Sequence, residues 1–130
     1  MCAFAAKQGD RVTAMDTHLI MPPSPATVPV PVPHPFSGII DGGLSGDVLI
    51  EGKAAATVNS TATNTPPHVP IGGTFVNPPP NRGTIIRGSA TVLINGKGAA
   101  RMGDTARTCN DPVDLPVGTV VAASTVDIGG

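Results

Sequence analysis

The stretch VLIEGKAAATVNSTA, residues 48–62, recurs without a gap as VLINGKGAARMGDTA at residues 92–106. A third copy is present in two pieces. AAKQGD (5–10) matches AATVNS (55–60) and AARMGD (99–104), the back of the unit. The front of the unit appears as GIIDGGLSGDVLIEG (38–52), GTIIRGSATVLING (83–96) and GTVVAASTVDIGG (118–130), which share a glycine, β-branched residues and V-x-I-x-G. The third copy is therefore split between the two ends of the chain. Such a permuted repeat makes sense in a ring, where the C-terminal strand lies beside the N-terminal one. Each unit reads as strand, short turn, strand, then G-K-x-A-A, and no window of 11 or more residues holds a helical apolar period. The expectation is one all-β domain over residues 1–130, built from three pseudo-threefold strand-turn-strand repeats: 38–60, 83–104, and 118–130 joined with 5–10.

Composition agrees with an ordered chain. Gly 16 and Pro 15 in 130 residues are abundant enough to suggest disorder. Against that, 40% of residues are hydrophobic and only 13% charged, too apolar for a typical disordered chain. With three Phe and no Trp or Tyr, the core must come mainly from Val, Ile, Leu and Ala. All fifteen prolines fall between the units: seven in 11–37, six in 61–82 and two in 105–117. Proline cannot donate to a strand ladder, so these segments read as long, stiff connecting loops. The proline run PPSPATVPVPVPHP (22–35) reads the same way, with a polyproline ligand for a recognition domain as the competing reading.

A net charge of −1, with scattered basic residues and few aromatics, excludes a nucleic-acid surface. The N-terminus MCAFAAKQGD lacks the basic and apolar regions of a secretory signal, and no apolar run approaches membrane-spanning length. Synthesis in the cytoplasm is expected, and any export has to use another route. A reducing compartment argues against a Cys2–Cys109 disulfide.

The three histidines and Cys109 all sit in the connections. The first carries His18 and His34, the second His68 in NTPPHVPIGG, and the third Cys109. One histidine in a loop is usually a surface residue, and one cysteine a small buried hydrophobe. The joint pattern changes the reading, because loops leaving one face of a pseudo-threefold ring can converge. Three imidazoles and a thiolate form a complete tetrahedral set for structural Zn2+, one ion per chain. A small core poor in aromatics has use for such a clamp. Asp16 and Asp111 stand two residues from His18 and Cys109 and read as turn residues or as partners orienting a ligand.

No catalytic motif is complete. IIDGGLSGD (39–47) has the glycines of a phosphate loop but neither the Lys-Ser/Thr nor the helix, and GLSG is one residue short of a nucleophile elbow. The competing reading is a small zinc hydrolase or toxin with an open metal position; a metal-free β-rich binding module is a third.

The units GKGAARMGD and GKAAATVNS, with the His/Cys set, resemble the PAAR-repeat (PAAR-like) proteins, named for a Pro-Ala-Ala-Arg motif. Here Gly98-Ala99-Ala100-Arg101 carries glycine where the name has proline, with looser versions at 54–57 and 4–7. The resemblance implies a small cone whose Pro-rich loops converge at a metal-bound apex, with His18, His34, His68 and Cys109 binding zinc. It further implies a non-enzymatic spike tip of a contractile injection system, of the type VI secretion or extracellular phage-tail-like kind. A monomer would cap a trimeric, VgrG-like β-helical spike, contact the target membrane transiently during puncture, and offer an attachment point for effector proteins.

Overall fold

The computed structural model describes residues 3–25 and 27–130, so Cys2 lies outside the described residues. Thirteen strands and no helix occur among them: β1 (Ala3–Phe4), β2 (Arg11–Met21), β3 (Val30–Gly42), β4 (Leu49–Ile50), β5 (Lys53–Ala54), β6 (Thr61–Asn64), β7 (Thr74–Phe75), β8 (Arg82–Ile85), β9 (Leu93–Ile94), β10 (Lys97–Gly98), β11 (Thr105–Thr108), β12 (Leu115–Val121) and β13 (Asp127–Ile128).

The three Ala-Ala segments bind one another in a cycle. The Ala6 N–H donates to the Ala100 carbonyl (2.9 Å), Ala100 to Ala56 (3.0 Å) and Ala56 to Ala6 (3.0 Å). All three alanines are fully buried. Only a residue without bulk beyond Cβ lets three backbones meet this closely, which is why each copy carries the A-A pair. The tight turn after each pair also repeats. The backbone N–H of Lys7, Thr57 and Arg101 donates to the side chain of Asp10 (3.0 Å), Ser60 (2.9 Å) and Asp104 (2.8 Å). The third residue of each turn has positive φ, at Gly9 (92°), Asn59 (78°) and Gly103 (89°), a conformation open to glycine and asparagine.

On one side of this ring, β4–β5 and β9–β10 are hairpins whose turns, Glu51-Gly52 and Asn95-Gly96, have positive φ at both residues, as a type I′ turn requires. The third hairpin is the split one. Ala3 pairs with Ile128 as Lys53 pairs with Ile50 and Lys97 with Ile94. Beneath these hairpins lies a small core of one Ile and one Ala per repeat: Ile50, Ile94, Ile128, Ala5, Ala55 and Ala99.

On the other side, six antiparallel strands close a barrel in the order β12-β11-β8-β6-β3-β2, with β2 returning to β12 and β7 added at the far end of β2. Closure satisfies the strand edges that an open sheet would expose. The interior again takes one residue per repeat: Val12, Ala62 and Ala106 in one set, Ile40, Ile85 and Val120 in another, all fully buried. Next along the strands come Gly38, Gly83 and Gly118, the glycines shared by the repeats, all buried. Their missing side chains make room for two others. A Cβ on Gly38 would stand 2.7 Å from Phe36 Cε1, and one on Gly118 would stand 2.9 Å from Thr108 Cγ2. Phe36, only 2% exposed, fills this layer and supports whatever sits above it, burial worth about 2–3 kcal/mol.

The first connection differs from a loop. Residues 11–42 form the longest hairpin of the sheet, β2 against β3, paired from Arg11↔Ile39 to Ile20↔Val30. The proline argument does not apply here because Pro31, Pro33 and Pro35 occupy alternate positions. Ser37, two residues on, directs its N–H and C=O away from β2, toward Asn64 and Thr65. The prolines share that orientation, so their missing N–H groups fall on the side that β2 does not use. Their rings are exposed, while His34, between Pro33 and Pro35, and Phe36, after Pro35, are buried.

Replacing Gly38 by Ala is expected to lower stability by about 1–3 kcal/mol through overpacking against Phe36. Gly46→Ala, where a Cβ meets nothing within 4 Å, serves as the control. Denaturant unfolding of both variants measures the difference.

Candidate metal centre

Above Phe36 the barrel interior turns polar. Asp16 and His18 alternate on one face of β2, and His34 lies directly across from Asp16 on β3. Cys109 follows β11 immediately, and His68 projects inward from the connection between β6 and β8. Two asparagines fix these last two. The Asn81 side chain accepts the His68 N–H (2.8 Å), and Asn110 accepts the Thr17 N–H (2.6 Å), tying the residue after Cys109 to β2.

One ligating atom each from Asp16, His18, His68 and Cys109 lies within 4.8 Å of the other three. Asp16 Oδ2 is 3.0 Å from His68 Nε2 and 3.4 Å from Cys109 Sγ, and Cys109 Sγ is 3.8 Å from His18 Nε2. Asp16 Oδ1 accepts the Thr108 hydroxyl (2.5 Å). Water is kept out: Asp16 and Cys109 are 0% exposed, His18 is 1% exposed, and the His68 side chain 1%.

His34 stands beside this group. Its ring centroid is 5.5 Å from that of His18 and 5.7 Å from that of His68, and both of its nitrogens have partners. Nδ1 is 2.8 Å from the Val32 carbonyl, and Nε2 accepts the Ile71 N–H at 3.3 Å. Three of the four residues singled out in the sequence, His18, His68 and Cys109, are thus gathered with Asp16, and the fourth is its cross-strand neighbour. Asp111 stands behind His18: its Oδ2 accepts the Leu19 N–H (2.8 Å) and lies 3.5 Å from His18 Nδ1, which makes no hydrogen bond. Asn81 and Asn110 carry no signal in the sequence beyond being turn-type residues beside prolines or cysteine. Asp16 does carry one, since positions 16 and 18 share a strand face.

The electrostatics suit a cation. Burial and the adjacent Asp16 carboxylate push the Cys109 thiol up to about 12, so at neutral pH it ionises only beside a positive charge. Burial also lowers the His18 pKa, with the His68 imidazole adding to the effect and Asp111 and Asp16 opposing it. Imidazoles facing a buried carboxylate and a thiol supply the donor types of a divalent metal site. A cavity of about 370 Å3 adjoins the group, walled by His34, Pro35, Pro66, Pro67, His68 and Ile71.

In the native chain at pH 8, Cys109 is expected to resist a thiol-alkylating reagent for hours and to react within minutes in denaturant. Mass mapping of the peptide containing Cys109 checks this.

Residues 31–113 and 77–130 match the PAAR motif family, together spanning most of the chain. No curated protein matches it. With the repeats closed into a pseudo-threefold barrel over a buried donor cluster, and with that match, the chain belongs to the PAAR motif family, the spike-tip proteins of contractile injection systems.

Proposed function

We propose that this protein is a non-enzymatic, zinc-stabilised tip that caps a trimeric spike and sharpens it for membrane puncture. The observation that carries the reading is the closed cycle of Ala6, Ala56 and Ala100, by which one chain presents three equivalent units. Such a monomer can meet each subunit of a threefold partner with a similar edge.

The two ends of the molecule suit different tasks. The hairpin end carries Leu49 (62% exposed) and Leu93 (61%) at matching positions of two repeats, with Phe4 also exposed. Apolar side chains arranged in this way are what a partner's end would cover. The opposite end holds the donor cluster. Zinc there would be held by His18, His68 and Cys109 with a fourth donor from the β2–β3 hairpin, where Asp16 and His34 face each other. The ion would supply no chemistry beyond cross-linking strands of three hairpins, and a closed donor set favours structure over catalysis. Stiffened by proline and cross-linked by metal, this end is fit to bear load.

Purified protein is expected to contain one zinc per chain, falling well below one in His68→Ala, and a strong chelator should lower its melting temperature. Zinc content near zero in the wild type defeats the metal half of the proposal. For the base, a Leu49→Asp/Leu93→Asp double variant should lose at least tenfold in affinity for a trimeric spike protein without a change in melting temperature. A wild-type chain that binds no such trimer defeats the capping half.

A further inference from the structure

We infer that Phe4 is the third apolar anchor of the hairpin end, standing in for the leucine that the split repeat lacks. One chain then offers a trimeric partner three such anchors, one of them set on the other strand of its hairpin. The inference rests on the capping reading above and deepens it by naming the residue that completes the docking surface.

The three hairpins match closely in backbone. The Ala5 N–H donates to the Val126 carbonyl (2.8 Å), as Ala55 does to Val48 (3.0 Å) and Ala99 to Val92 (3.0 Å). Val126, Val48 and Val92 are 40%, 37% and 37% exposed, so this position is nearly equal in all three repeats. Two residues further on come Ile128, Ile50 and Ile94 of the small core. Successive strand residues point to opposite faces, so the residue before each isoleucine lies on the face turned away from that core. Here the match fails. Two repeats place Leu49 and Leu93 there, and the third places Asp127.

The opposite strand compensates. Leu49 is paired with Ala54, Leu93 with Gly98, and Asp127 with Phe4. Directly opposed residues in a hairpin send their side chains to the same face, about 5 Å apart. Each outward face therefore holds one bulky apolar side chain, and only the strand that carries it differs. In β4 and β9 it is a leucine over a residue no larger than alanine; in the split hairpin it is a phenylalanine on β1 beside an exposed aspartate on β13. None of the three belongs to either buried cluster of the protein. A partner with true threefold symmetry offers three equal sites to these three faces. At the third, the Phe4 ring fills the site while Asp127 stays in water at its edge, since covering an unpaired carboxylate would be costly.

Calorimetric titration against a trimeric β-helical spike protein tests this, with melting temperature as the check on folding. Phe4→Ala should lose at least tenfold in affinity, as Leu49→Ala should, because a buried aromatic anchor carries a large share of binding energy. Asp127→Leu alone should stay within about threefold of the wild type. Phe4→Ala/Asp127→Leu, which rebuilds the leucine-over-alanine pair of the first hairpin, should return to within about threefold of the wild type. If Phe4→Ala lowers the melting temperature, the double variant decides by itself. Wild-type affinity in Phe4→Ala, with Leu49→Ala weakened, overturns the inference and leaves the capping reading intact. So does a double variant that binds no better than Phe4→Ala. A tenfold loss from Asp127→Leu alone also overturns it, because the carboxylate then makes the contact. A wild-type chain that binds no such trimer overturns both readings, as does one that dimerises through this surface and loses the dimer in Leu49→Asp/Leu93→Asp.

Discussion

Three backbone hydrogen bonds, from Ala6 to Ala100, Ala100 to Ala56 and Ala56 to Ala6, are the constraint on which the rest of this structure depends. They bind the start of the chain to two internal segments and force the three repeats to share one axis. Everything else is placed relative to that ring: three short hairpins on one side, three longer antiparallel pairs on the other. Because the ring needs a third member, the two ends of the chain must meet, and they do through the pairing of Ala3 with Ile128. The alanines at the ring are fully buried, so each unit contributes only a methyl group there.

The symmetry is kept where backbone meets backbone and abandoned where side chains do chemistry. Near the ring each repeat contributes the same kind of residue to each layer. Farther up the barrel, the glycines at 38, 83 and 118 open space that is filled unequally, by Phe36 and Thr108. Beyond them the hairpins supply different donors: Asp16, His18 and His34 from the first, His68 from the second and Cys109 from the third. The group of Asp16, His18, His68 and Cys109 therefore does not repeat from one unit to the next. A buried carboxylate, thiol and imidazoles gathered in this way could hold a metal ion.

Much of this was legible in the residues. The recurrence of G-K-x-A-A and of N-G or E-G turns encodes local backbone geometry, and local geometry is what sequence repeats preserve. The all-β, pseudo-threefold fold and the split repeat follow from it. Of the four residues singled out, His18, His68 and Cys109 come together with Asp16, as connections leaving one face of a ring allow, and His34 lies beside them.

Two features were decided only in three dimensions. Proline content alone marks residues 22–35 as loop, yet residues 30–35 are strand, and alternate spacing puts the missing N–H of Pro31, Pro33 and Pro35 on the side that β2 leaves free. That depends on which neighbour a strand has, which no local pattern states. The relation of Asp16 to His34 is the second. They are 18 residues apart in sequence and directly opposed in the β2–β3 ladder. Cross-strand register puts both on one face, and the Ile71 N–H engages His34 while the Thr108 hydroxyl engages Asp16. The sequence by itself determined the repeat, the ring and the kinds of donor available; tertiary structure decided their orientation, because a side chain's partners across a sheet come from segments distant in the chain.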